Sequence, residues 1–342
     1  MAYLFGRPWT RSELLAHIGD LSQIAGIRLG EWSDGVERGV RTAQVCTGSG
    51  LEFTILLDRG MDVGPAHYRG MSLAWISPAG FAHPAYFEQG CMGWLRTFGG
   101  GLLTGCGLTY LGAPDEDDGE ALGLHGRLSH LPAQHVRVGE EWEGDECLFW
   151  VEGEMRQARL FGENLRLRRR ISAGLGSSRL MIQDRVENLG SSVSPLMILY
   201  HINLGFPLLD EHSCLVSQPH PVHPRDNAAV LGLSEWMRFQ PPTPGYSEQV
   251  FYHDLPADAE GWANIKLVNP THKLSVEVRY QKTTLPNLVE WKMMGQGAFV
   301  LGLEPANCLV EGRSRERARG TLQFLAPGEH RDFRVEIVIS EG

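Results

Sequence analysis

No segment of the 342 residues approaches the roughly 20 consecutive apolar positions that a membrane-spanning helix needs. The opening stretch, MAYLFGRPWTRSELL, lacks a long apolar core, so no secretory signal is expected in it. Basic residues are outnumbered, with 31 Lys and Arg against 41 Asp and Glu and a net charge of −10. That balance excludes a broad attraction to nucleic acid or to an anionic membrane surface. Cysteine is sparse and scattered: Cys46, Cys91, Cys106, Cys147, Cys214 and Cys308 stand singly, with no CxxC pair. Such spacing fits neither a disulfide framework nor a zinc ribbon, and free thiols in a reducing cytoplasm are expected. GxSxG, GxGxxG and the Walker lysine are all missing, so there is no nucleophile elbow and no dinucleotide or nucleotide loop. No cofactor is expected.

What is present is an ordinary soluble composition, 42% hydrophobic and 21% charged. A chain of this length buries about three quarters of its unfolded surface. A prior of roughly 150 residues per domain allows two domains. No linker is long or polar enough to divide the chain, however, and residues 1–342 read as one domain. Glycine is abundant, at 41 residues without a repeat, which signals many turns. Period-two alternation is plain. In LRLRRRIS, Leu165, Leu167 and Ile171 share one face and Arg166, Arg168 and Arg170 the other; KLSVEVRY and the C-terminal FRVEIVIS behave alike. One wet face per strand is the signature of antiparallel sheets. Helical signals are few. Thr10 and Glu13 form a capping box ahead of Leu14, Leu15 and Ile18, predicting a short helix near 10–18. Residues 81–93 are the other helix candidate, and 219–244 reads as loop. The fold expected is all-β, a large antiparallel β-sandwich with one or two short helices.

Thirteen histidines raise the question of a metal site. His220 and His223 in PHPVHP lie near His212 and Asp226, but a proline-rich loop offers neither a rigid frame nor outer support for ligands, so no metal is assigned. FGGGLLTGCGLTYLG reads either as a kinked strand or as backbone that must approach a substrate closely. Three polar residues interrupt apolar, strand-like runs: His125 in GLHGRLSHLPA, His201 in LMILYHINLGFPLL and Glu304 in AFVLGLEPANC. A carboxylate ending a buried strand is seldom tolerated without a partner. Desolvation raises its pKa toward the working pH, which suits a general base. His201 is the complementary acid, since imidazole titrates nearest neutrality. A lone histidine on a strand is more often a satisfied core residue, and a histidine and a glutamate each ending an apolar strand shift that balance toward a site.

The segments LLDRGMDVGPA (56–66), RTFGGGLLTGCGL (96–108), GLHGR (123–127), YHINLG (200–205) and LPNLVEWKMMGQGAFVLGLEPANC (285–308) together resemble the aldose 1-epimerase (galactose mutarotase) superfamily. The likeness is greatest to its aldose 1-epimerase-like branch of unassigned substrate. Their order and spacing cover most of the chain. The resemblance implies a β-supersandwich with its site in a cleft on one face. It places the family's HG histidine at His125, its second histidine at His201 with Asn203 in an asparagine slot, and its base at Glu304. Two departures stand out: Arg96 before a glycine run replaces an early Asn-Arg pair, and Ile202 occupies an aromatic position.

The activity so implied is interconversion of the α and β anomers of a free monosaccharide, without metal or cofactor. Glu304 would take the anomeric hydroxyl proton, His201 would protonate the ring oxygen and His125 would hydrogen-bond the substrate. Arg96, Arg127 and Lys292 are candidates for hydroxyl or carboxylate contacts, and Trp291 for stacking on the sugar face. Each has a structural alternative: a solvated or strand-pairing cation for Arg96, Arg127 and Lys292, a core residue for Trp291. Competing functions are an aldose–ketose isomerase or carbon-centre epimerase (a phosphosugar enzyme included), a glycosidase pairing Glu304 with Asp58, Asp62, Glu290 or Glu311, and carbohydrate binding without catalysis. A monomer or a homodimer fits equally.

Overall fold

A computed structural model describes all of residues 1–342, and its architecture follows from the strand periodicity. An eight-stranded antiparallel sheet runs in the spatial order Gln134–Glu143, Glu146–Ala158, Asn164–Gly174, Arg179–Asn188, His330–Glu341, Leu274–Gln281, Trp262–Asn269, Cys214–Val216. A second sheet runs Val222–Pro224, Gln249–His253, Asn287–Gly295, Ala298–Ala306, Ser194–Gly205, Gln323–Leu325, and Thr104–Leu108 also pairs with Ser194–Gly205. A five-stranded sheet spans Gly26–Ser72. Every pairing between named strands is antiparallel, as alternation with one wet face requires.

The three sheets close over one main core of 53 buried residues, including Ile171 and Val335 from the first sheet, Leu204 and Leu303 from the second, and Ile55 and Val63 from the third. Arg169 lies on the inward face of LRLRRRIS with Leu167 and Ile171, and it is fully enclosed. Its guanidinium donates to Asp184 at 2.7 and 2.9 Å and to the Gly60 carbonyl at 3.0 Å. The Tyr200 hydroxyl also donates to Asp184, at 2.7 Å. A charge this deep persists only with its partner in place.

The strand Ser194–Gly205 is buried along nearly its whole length on both faces. Ile198, Tyr200, Ile202 and Leu204 enter the main core, whereas Met197 and Leu199 belong to a second apolar cluster of 14 residues on the opposite face. The neighbouring strands are partitioned likewise. Leu288 and Met294 face the main core and Val289 and Trp291 the second cluster; Leu301 and Leu303 face one way and Ala306 the other. This two-sided burial creates a second interior against which a pocket can form.

Helix is confined to short pieces. Arg11–Leu15 is capped by Thr10, whose hydroxyl accepts from the Glu13 amide while Glu13 reaches back to the Thr10 amide. It ends earlier than the apolar spacing through Ile18 suggested. Residues 81–93 form no α-helix; Pro84–Tyr86 is a 3₁₀ turn, and a second 3₁₀ turn covers Gly93–Arg96. The expected loop 219–244 contains the helix Asn227–Gly232, nucleated by Asp226 accepting from the Ala229 amide at 3.1 Å. A third helix, Arg313–Arg319, ends at Gly320 in the left-handed conformation (φ 73°). No helix is long and apolar enough to cross a membrane.

Candidate active site

The cavity on the outer face of the second sheet has a volume of about 870 Å³. Its floor is set by strand register. Ile202 pairs with Leu303 across adjacent antiparallel strands, which brings His201 and Glu304 alongside each other on the cavity face. His201 Nε2 stands 3.1 Å from Glu304 Oε1. The contact is not aligned as a hydrogen bond, and Glu304 Oε1 and His201 Nδ1 have no partner. His125 completes the group, its ring centroid 5.7 Å from that of His201 and perpendicular to it. It sits in the left-handed region (φ 55°), a costly conformation for a non-glycine residue, and its Nδ1 is also buried without a partner.

Aromatic side chains wall this floor. Trp94 stacks on Phe98 at 4.3 Å and approaches His125 at 4.7 Å, while Phe98 and Trp291 lie 5.3 and 5.4 Å from His201. Trp75 closes the ring, 6.1 Å from Trp291. The glycine run explains how Trp75 arrives there. At Gly100 (φ 70°) a Cβ would come within 2.5 Å of the Trp75 carbonyl and 2.8 Å of its indole, so only glycine lets the two backbones approach. The run is therefore a close-approach device for an aromatic wall.

Enclosure sets the protonation of the floor. Burial pushes the Glu304 carboxyl well above the usual carboxylate range, the Glu248 charge adds to this, and Arg225 opposes it. Burial pulls His201 down to about 3, with His125 contributing and Asn203 opposing, and it pulls His125 down to about 4. Burial thus works against the charged form of all three groups, a carboxylate on Glu304 as much as an imidazolium on either histidine.

Among the residues expected at a site, His125, His201, Glu304 and Trp291 line the cavity. Four others do not. Arg96 extends into solvent and pairs with Glu88 at 3.1 Å. Arg127 is exposed away from the lining. Lys292 follows Trp291 immediately, and with period two it must face the opposite way; it is buried on the core side, donating to the carbonyls of Glu235 and Arg238 at 2.7 and 2.5 Å. Asn203 shares the face of His201 but lies beneath the surface, its Nδ2 donating to the carbonyls of Gly101 and His201 at 3.0 and 2.9 Å. Among the carboxylates weighed for a glycosidase, Glu311 reaches the cavity and is ion-paired with Arg319, while Asp58, Asp62 and Glu290 do not line it.

Sequence reading missed Trp75, Trp94, Phe98, Arg225 and Glu248. Arg225 pairs with Asp226 at 2.8 Å and with Glu248 at 3.0 Å, and Glu248 accepts the Trp291 indole N–H at 2.9 Å. That chain links the cavity wall to Trp291. Arg225 lies in PHPVHPRDN, where no periodicity marked it. Among the described residues, no group of three or more His, Cys, Asp or Glu side chains is arranged to hold a metal ion.

This antiparallel architecture is that of the galactose mutarotase-like proteins. A candidate aldose 1-epimerase from Klebsiella pneumoniae superposes with a TM-score of 0.87 at 24% identity, over 92% of this chain and 83% of that one. A galactose mutarotase-like protein from Clostridium acetobutylicum gives 0.64 at 13% identity, over 94% and 100%. The galactose 1-epimerase of Lactobacillus acidophilus gives 0.58 at 12% identity, over 93% and 99%. No curated protein matches the chain. The family model described as a domain of unknown function, DUF4432, matches residues 37–339, and the chain belongs to that family.

Proposed function

We propose that the protein is an isomerase of the aldose 1-epimerase type, interconverting the anomers of a free sugar by acid–base ring opening and closure. The observation that carries this reading is the enclosed Glu304–His201 pair at 3.1 Å, a carboxyl and an imidazole side by side inside an aromatic-walled cavity. Ring opening needs one proton delivered to the ring oxygen and one removed from the anomeric hydroxyl. In this reading the resting proton sits on Glu304, the direction in which burial pushes it, so that the carboxyl is the donor to the ring oxygen and neutral His201 takes the hydroxyl proton. This reverses the assignment suggested by residue type alone, because burial disfavours both a carboxylate and an imidazolium here.

After opening, rotation about C1–C2 presents the other carbonyl face. Closure then returns the proton from His201 to the anomeric oxygen and the ring-oxygen proton to Glu304. His125, neutral at the edge of the pair, hydrogen-bonds the oxygen on which charge changes. Trp291 stacks on the apolar face of the sugar ring. Each positioned proton transfer contributes about 10²–10⁴-fold, so the pair supplies about 5–11 kcal/mol.

The test is the anomer-exchange rate, measured by NMR saturation transfer or polarimetry over a panel of free aldoses, with solvent deuterium uptake at C2 followed in parallel. Acceleration of anomer exchange without C2 exchange supports the proposal. C2 exchange at a matching rate transfers the assignment to an isomerase acting at carbon, and binding without acceleration leaves a carbohydrate-binding protein.

A further inference from the structure

The core-side face of Asn287–Gly295 carries a polar chain that the proposed reaction does not use. Glu290 Oε2 lies 3.0 Å from His253 Nε2, His253 Nδ1 lies 2.8 Å from His220 Nε2, and His220 Nδ1 lies 2.7 Å from the Gln218 carbonyl oxygen. Glu290 and His253 are enclosed and His220 is half-buried. Trp236 packs edge-on against both imidazoles, at 5.5 and 4.8 Å.

Each of these three contacts needs one hydrogen between its two atoms. A carbonyl only accepts, so the outermost hydrogen belongs to His220. Two neutral imidazoles bring two hydrogens and a carboxylate brings none. The chain is therefore complete only with a third, and with it Glu290, His253 and His220 together carry no net charge, wherever the protons sit. Neutrality suits the location. Burial pulls His220 away from its charged form, with the Gln218 carbonyl opposing.

The chain also has a mechanical position. His220 lies two residues before Val222–Pro224, whose Val222 pairs with His253, and Arg225 and Asp226 of the cavity wall follow directly. We infer that Glu290, His253 and His220 are positioning residues, which hold the 217–238 segment and its Arg225 against the second sheet through a hydrogen-bond chain complete only with a third hydrogen. The effect on the cavity rests on the proposed function; the chain itself does not. Other charged or titratable groups face it. Asp254, ion-paired with Lys282, lies beside His220 and near His223, while Lys292 and Tyr246 lie near Glu290. At His220, Asp254 favours the charged form and Lys282 opposes it. The three contacts are all made only while the third hydrogen stays in the chain, and one is lost when it leaves. Its stabilisation is thus present at low pH and lost as pH rises past the point where the chain releases the proton.

Three measurements on the full chain test this: ¹⁵N chemical shifts of the imidazoles, thermal unfolding against pH, and KM against pH for any accepted sugar. In the wild type the shifts of both rings should change together with rising pH, the melting temperature should fall, and KM should rise about threefold or more with kcat little altered. Glu290→Gln supplies an amide N–H to His253 Nε2 and completes the chain with two neutral rings, so all three readouts should become flat with pH. His220→Ala should show the high KM at every pH. Wild-type pH dependence persisting in Glu290→Gln, or the two rings titrating independently near pH 6.5 in the wild type, overturns the inference. The shift and unfolding measurements need no turnover, so they decide even if no sugar proves to be a substrate.

Discussion

His201 Nε2 and Glu304 Oε1 lie 3.1 Å apart on adjacent antiparallel strands, while His201 Nδ1 and Glu304 Oε1 remain without hydrogen-bond partners. A buried, unsatisfied polar group costs about 1–3 kcal/mol. Two such groups beside an open cavity form a site whose hydrogen-bonding capacity is left for a ligand.

Substituting either group should abolish most of the acceleration while sparing the fold. Glu304→Gln and His201→Asn are each expected to slow anomer exchange by about 10²–10⁴-fold, and the double variant by little more than the worse single one, since the two act as a unit. Unaltered rates in both single variants on an accepted sugar would falsify the assignment of roles.

The proposed roles place the resting proton on Glu304, which can be tested directly. An infrared carboxylic-acid band at neutral pH, missing from Glu304→Gln, is the expected signature. Because the folded carboxyl holds its proton above the ordinary range, its effect on stability is favourable below the unfolded pKa of 4.5 and is lost as pH rises through the folded value. At pH 8 the Gln variant should therefore melt no lower than the wild type. Activity should fall at the acid end as His201 protonates near about 3 and at the alkaline end as Glu304 ionises.

Asp62, buried near Arg169 and accepting the Gly105 amide at 2.8 Å, provides a second sign test. Burial pushes it up to about 7, with Arg169 opposing. Stability tied to this group is present below its unfolded pKa of 3.8 and is lost progressively as pH rises to about 7. Asp62→Asn should flatten that decline and recover on the order of 1–3 kcal/mol at pH 8, read from denaturant unfolding. A steeper decline in the variant would count against the buried-acid account.

The cavity walls predict a division among the residues expected at the site from the sequence. Trp291→Ala should raise KM on the order of tenfold, the equivalent of about 1.4 kcal/mol. Arg96→Ala and Arg127→Ala, whose side chains lie off the lining, should shift KM by less than about twofold, within the ±0.5 kcal/mol usual for surface changes. A large KM effect from either arginine would show that the substrate extends beyond the cavity described.

Periodicity by itself determined that this chain folds into antiparallel sheets, because alternation of apolar and polar residues is a local property written along each strand. It also marked His125, His201 and Glu304, as polar interruptions of apolar runs, and the capping box at Thr10 and Glu13. The same rule, applied at Trp291, turns Lys292 toward the core, and applied to LRLRRRIS it turns Arg169 inward; both were legible in principle. Other features were not. The register that sets His201 beside Glu304, the glycine approach that delivers Trp75, and the Arg225–Glu248–Trp291 link all join residues far apart in sequence. The electrostatics of the pair belong to the tertiary structure as well, since burial is what pushes the Glu304 carboxyl up and the His201 imidazole down, and burial exists only once the sheets have closed.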